Sequence, residues 1–99
     1  MKHFIIKLSY LVPIEKIDEL LVEHREFLDL GYSKQILLSS GPQNPRDGGI
    51  LIARAETLES MKEFCEADPF FKAKFADYQY TEFIPVKYQA EFKSWFIPI

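Results

Sequence analysis

In the stretch LLVEHREFLDLG, Leu20 to Gly31, a histidine stands on the oily side of a helix. Leu21 and Leu20 precede His24 by three and four positions and Ile17 by seven, while Phe27 and Leu28 follow by three and four. Those offsets share one helical face. His24 therefore points at the core, where an imidazole needs a hydrogen-bond partner or carries a cost. With an ordinary pKa of about 6.5 it can take and return a proton near neutral pH. It is either a tethered structural residue or a general acid-base group, and from the residues alone the structural reading leads, because buried, hydrogen-bonded polar groups are ordinary parts of cores.

Other chemistry is scarce. Cys65 falls on an apolar helix face, and Ser39 and Ser40 lack the G-x-S-x-G setting of a nucleophile elbow, so no nucleophile stands out. His3, His24 and the carboxylates show no metal-ligand spacing, and no Gly-rich phosphate loop or haem signature is present. No metal and no cofactor are expected. Arg25 and Arg46 could steer an anionic substrate, although charges on helix flanks and loops are usually solvated. Asp47 precedes Gly48-Gly49, the composition of an ordinary loop, and ranks low. Asp68, read alone, is as readily a helix-ending carboxylate that sets up the Pro69 turn as a catalytic group. Gly41-Pro42 is first of all a turn, whose functional use would be close approach of backbone to a ligand. Phe70, Phe71 and Phe75 read more readily as core than as a cofactor pocket.

The elements that must position these residues follow from patterning. His3–Tyr10, with Phe4, Ile5, Ile6 and Leu8, reads as a strand closed by Pro13. The stripe Ile14, Ile17, Leu20, Leu21, His24, Phe27, Leu28 predicts one helix that opens at Pro13 and stops at Gly31. Lys34–Ser40 and Gly48–Ala55 are strands separated by the loop GPQNPRDGG. Thr57 caps a second helix with Leu58, Met61, Phe64 and Cys65 on its apolar face, ending near Asp68-Pro69. A short turn in FFKAKFADY and a last strand, Gln79–Ile84, complete the order. That order is βαββαβ, a ferredoxin-like α+β fold with a four-stranded antiparallel sheet and two helices on one face. Its topology brings the Ser39–Pro42 end of the second strand, Asp47 and Asp68 to one edge of the sheet, and leaves open whether His24 reaches Asp68.

A histidine in the first helix, a strand ending in Gly41-Pro42, a glycine-bearing approach to the third strand and a second helix ending in Asp68-Pro69-Phe70 together resemble the YCII-related family. The resemblance covers the chain up to Pro85. It implies a dimeric ferredoxin-like domain, of the dimeric α/β barrel type, and an active site centred on a histidine and an aspartate, which carry over to His24 and Asp68. It reverses the reading of His24 toward chemistry. Ser40, Gly41, Pro42 and Phe70 are the residues expected to contact a small ligand beside that pair. The family resemblance also implies proton abstraction, elimination or isomerisation of a small molecule, including dehydrochlorination of ring compounds by some relatives. A non-catalytic ligand-binding or assembly module of the same fold is the alternative. A haem- or quinone-handling monooxygenase of this fold has no supporting residues. The chain departs from the pattern at Lys74, where relatives often have glycine, in a later-starting last strand and in a longer C-terminal tail.

Bulk properties bound the rest. Ninety-nine residues, 47% hydrophobic and 27% charged, describe one domain, residues 1–99, with a core over 1–86 and an extension over 87–99. A net charge of −3 without a basic stripe argues against nucleic acid. Lys7 interrupts the apolar start, so neither a membrane span nor a signal peptide is expected, and a single cysteine fits the cytoplasm. Nine Phe, five Tyr and one Trp are much apolar surface for a small core. Both faces of the sheet read as apolar, which predicts a homodimer packed through the open face. Phe92, Trp95, Phe96 and Ile97 predict that the tail lies along its own subunit or, less readily, clasps the partner.

Overall fold

The computed structural model describes residues 1–97; Pro98 and Ile99, the last two residues of the expected extension, lie outside the described residues. In chain order the elements are β1 (Lys2–Tyr10), α1 (Ile14–Glu19), α2 (Leu21–Ser33), β2 (Leu37–Pro42), β3 (Gly48–Ala55), α3 (Leu58–Cys65), α4 (Pro69–Lys72) and β4 (Ala76–Phe83). A 3₁₀ turn (Ala90–Phe92) and α5 (Lys93–Phe96) follow. The sheet order is β2-β3-β1-β4 and every neighbouring pair is antiparallel. This is the ferredoxin-like arrangement expected from the pattern.

Alternation along the strands makes the two layers. Phe4, Ile6 and Leu8 of β1 and Leu51 and Ala53 of β3 point toward the helices, where Ile17, Met61 and Cys65 close over them in a continuous buried cluster. Thr57 caps α3 as expected: its side chain accepts from the Ser60 amide, and Ser60 returns a bond to the Thr57 amide.

Several boundaries differ from expectation, each for a local reason. Leu20 leaves helical geometry (φ −109°, ψ 7°) and divides the predicted single helix into α1 and α2. Gly31 does not end the helix but lies inside α2. A Cβ there would stand 2.6 Å from Phe64 Cζ and 2.7 Å from Leu37 Cδ1, so its missing side chain admits α3 and β2 against α2. The left-handed residue after α2 is Gln35 (φ 58°), and β2 starts at Leu37 rather than Lys34. Gly41-Pro42 does not stop β2 but completes it, opposite Ile50 and Gly49. Proline is tolerated there because β2 is an edge strand. α3 ends at Cys65, and Asp68 opens α4 instead of closing the preceding helix. β4 begins at Ala76, not Gln79, and ends at Phe83.

The open face of the sheet is more mixed than predicted. Ile5, Ile50 and Ile52 are half-buried there beside Lys7, Gln79 and Thr81. At one end His3 lies between Arg54 and Phe83, and the C-terminal segment covers that end. The Arg54 guanidinium stacks 3.7 Å from the centre of the Trp95 ring and donates to the Trp95 carbonyl at 2.9 Å. His3 and Phe96 are 5.1 Å apart, centre to centre. The tail lies along its own subunit.

Candidate functional site

Three segments distant in sequence converge below the helices. His24 comes from the second turn of α2, Asp68 from the connection between α3 and α4, and Tyr78 from the helix-facing side of β4, where it pairs with Leu8. Asp68 is held by local structure first. As the N-cap of α4 it accepts the Phe70 amide on Oδ1 at 3.0 Å, with Pro69 supplying the preset first residue of the helix. The carboxylate then faces His24 Nδ1, 2.9 Å from Oδ1 and 3.0 Å from Oδ2, and Oδ2 accepts from the Tyr78 hydroxyl at 2.5 Å.

This network fixes the imidazole. Asp68 is 0% exposed, so an ionised carboxylate there must collect its hydrogen bonds from protein donors. The Phe70 amide and the Tyr78 hydroxyl are two. An ionised carboxylate only accepts, so His24 Nδ1 carries the hydrogen that makes the third. The neutral ring is then the Nδ1–H tautomer with a free lone pair on Nε2. Burial first, then the Asp68 charge, push the Tyr78 phenol well above its ordinary range, which keeps it a donor. Phe70 stacks on the imidazole: its ring centre lies 4.0 Å from that of the His24 ring, at an interplanar angle of 11°.

The His24 ring borders a cavity of about 730 Å³. Its walls are largely apolar, from Leu8, Leu21, Leu28, Leu51 and Phe70, with Ser40, Gly41 and Pro42 on the β2 side. At its lip Tyr32 and Ser40 share a hydrogen bond of 2.7 Å between α2 and β2. Arg25 and Arg46 also border it, and Arg46 is tied to Asp18 of α1 at 2.6 Å. Thus His24, Ser40, Gly41, Pro42 and Phe70 meet at one cavity, with Asp68 hidden behind His24. Asp47 does not border the cavity; its carbonyl accepts from the Tyr10 amide at 3.0 Å and its own amide donates to the Pro45 carbonyl at 2.9 Å. His3 lies on the opposite face of the sheet. Cys65 is buried in the core, and burial pushes its thiol up to about 12. Among the described residues no group of three or more His, Cys, Asp or Glu could hold a metal ion.

Sequence reasoning missed Tyr78 and Tyr32. Starting β4 at Ala76 would have revealed Tyr78: the alternation Ala76, Tyr78, Tyr80 puts all three toward the helices. Tyr32 falls beyond the glycine taken as the end of the helix.

A ferredoxin-like α+β domain with an imidazole and a buried carboxylate set against one cavity is the class defined by this fold and site. A family profile described as the YCII-related domain matches residues 1–84, and the chain belongs to that family. No curated protein matches the sequence. Among solved structures, the chain is similar to the 5-chloro-2-hydroxyhydroquinone dehydrochlorinase of Burkholderia phenoliruptrix AC1100 in complex with 2,5-dihydroxybenzoquinone. The TM-score is 0.64 and the identity 20%, over 80% of this chain and 91% of that one.

Proposed function

We propose that this protein is a small-molecule enzyme in which His24 is the general base, and the returning acid, of a proton abstraction, elimination or isomerisation. The observation that carries the reading is the His24–Asp68 contact at 2.9 Å with the ring bordering a cavity. A carboxylate bonded to Nδ1 sets the tautomer, orients the ring and stabilises the imidazolium that forms when Nε2 accepts a proton. Asp68 has no exposed surface and serves by positioning. Ser40, Gly41, Pro42 and Phe70 contact the ligand, Phe70 also holding the ring in plane. Such a step needs a carbon acid and a leaving group or a second protonation site on the substrate; the base and its carboxylate are the equipment it requires from the chain. The structurally similar dehydrochlorinase favours ring compounds as the first substrates to try.

The test is isotope exchange. Ring and α-acidic compounds, beginning with 5-chloro-2-hydroxyhydroquinone, are incubated with the protein in D₂O, and C–H exchange and chloride release are followed. Turnover that disappears in His24→Gln supports the enzyme. Binding without exchange or release, unchanged by His24→Gln, supports the non-catalytic module instead.

The same reading includes a homodimer formed through the open sheet face, with the cavity on the other side. Half-buried Ile5, Ile50 and Ile52 on that face support it. The lone Cys65, buried and in no disulfide, is in keeping with a cytoplasmic location. No helix among the described residues is long and apolar enough to cross a membrane.

A further inference from the structure

We infer that Tyr78 is a positioning residue that sets the basicity of His24 through Asp68. The inference rests on the reading of His24 as a base and adds a third member to the pair. Asp68 Oδ2 stands between two groups, 3.0 Å from His24 Nδ1 and 2.5 Å from the Tyr78 oxygen. The Tyr78 ring is held on its other flank by Phe71, edge to face at 5.7 Å and 72°. Its hydroxyl is therefore aimed at the carboxylate by the strand and by packing, not by a flexible stem.

The consequence is electrostatic. A phenol that stays protonated and donates to a carboxylate oxygen draws negative charge toward itself. Less charge then faces the imidazole, and the imidazolium is stabilised less than it would be beside a bare carboxylate. Tyr78 thus tempers the basicity that Asp68 lends to His24, the property on which a general base depends. The Phe70 amide does the same at Oδ1, but only the Tyr78 donor is a side chain that can be retuned.

Other titratable groups lie around the ring: Arg25, Asp29 and Tyr32 on its own helix, Tyr10 from β1 and Arg46 from the β2–β3 loop, all bordering the same cavity, and Cys65 acts electrostatically on Tyr78. Substitutions confined to position 78 leave them in place.

The experiment is an NMR pH titration of the His24 ring in three proteins: wild type, Tyr78→Phe, and a protein with 3-fluorotyrosine at position 78, a more acidic phenol of nearly the same size. Removing the donor raises the His24 midpoint by about half a pH unit or more, and the stronger donor lowers it. The opposed directions are the signature, since a merely structural role would move stability and leave the midpoint alone. Thermal melts of the same samples record that separately. Midpoints in both variants within about 0.1 unit of wild type overturn the inference, as do shifts of the same sign. If Tyr78→Phe fails to fold, the fluorinated protein decides alone. A His24 that never titrates in wild type overturns the His24 base itself; a His24 that responds to Asp68→Asn but ignores both changes at position 78 overturns only the role of Tyr78.

Discussion

Phe70 lies flat on His24, with ring centres 4.0 Å apart and planes 11° from parallel, while its backbone amide donates to the carboxylate that His24 faces. One residue therefore holds both members of the pair. Its side chain also belongs to the buried core, at 1% exposure, so fold and site share it.

Replacing Phe70 tests that sharing. Phe70→Leu keeps most of the apolar volume and loses the aromatic stack. It costs about 1–3 kcal/mol of stability, read by urea denaturation. In the folded variant the His24 ring signals broaden or shift, because the plane of the ring is no longer fixed. A full-strength urea midpoint with unchanged His24 signals would show that the stack holds nothing.

Lys74 sits at φ 60° between α4 and β4. A left-handed conformation is open to glycine and strained for a lysine. Lys74→Gly is expected to stabilise the protein by up to about 1 kcal/mol, the relief of strain being partly offset by the freer unfolded chain. Calorimetry reads this as a rise in melting temperature. A fall would mean that the lysine side chain makes a compensating contact.

The histidine under the C-terminal segment gives a pH prediction. His3 has its pKa lowered, chiefly by burial, then by Arg54 and the N-terminal amine, against a backbone hydrogen bond with Phe96 that raises it. A histidine depressed in the folded state binds fewer protons there than when unfolded. Its stabilisation is therefore present above about 6.5, the unfolded value, and is lost as pH falls from there toward the lowered folded value. Trp95 is the sole tryptophan of the chain and stacks on Arg54 beside His3, so its fluorescence reports the segment directly. Acidification below about pH 6 should weaken docking and change the emission, and His3→Gln should flatten that dependence. An emission indifferent to pH in wild type would contradict the account.

Cys65 supplies a negative control for nucleophilic chemistry. With its thiol pushed up to about 12 by burial, almost none is thiolate at pH 8. Iodoacetamide should leave the native protein unmodified and label it in urea. Rapid native labelling would expose a reactive thiol that the packing does not allow.

How much of this was legible follows residue by residue. His24 was visible because apolar periodicity is a strong signal and a histidine breaking into it is conspicuous. Asp68 was visible only through the Asp-Pro-Phe segment and the family resemblance, because its meeting with His24 spans 44 residues and depends on tertiary geometry. The break at Leu20 carries no glycine or proline to announce it. Gly31 looked like a helix end because nothing local tells a glycine chosen for its conformation from one chosen for its size; Phe64 and Leu37, which need the space, lie far away in sequence. Gly41-Pro42 looked like a turn because edge strands tolerate the same residues. Tyr78 was hidden because it closes FFKAKFADY, a stretch read as a short turn, so the predicted last strand began one residue past it.

The central claim is that His24 and Asp68 form a coupled pair with Nε2 free toward the cavity. The most direct measurement is a ¹⁵N and ¹H NMR titration of the His24 ring in wild type and Asp68→Asn, with His3→Gln to assign the signals. The account predicts a titrating ring in the Nδ1–H tautomer whose midpoint falls when the carboxylate is removed. A ring that never titrates, or a midpoint that ignores the substitution, would make His24 a structural residue and contradict the account.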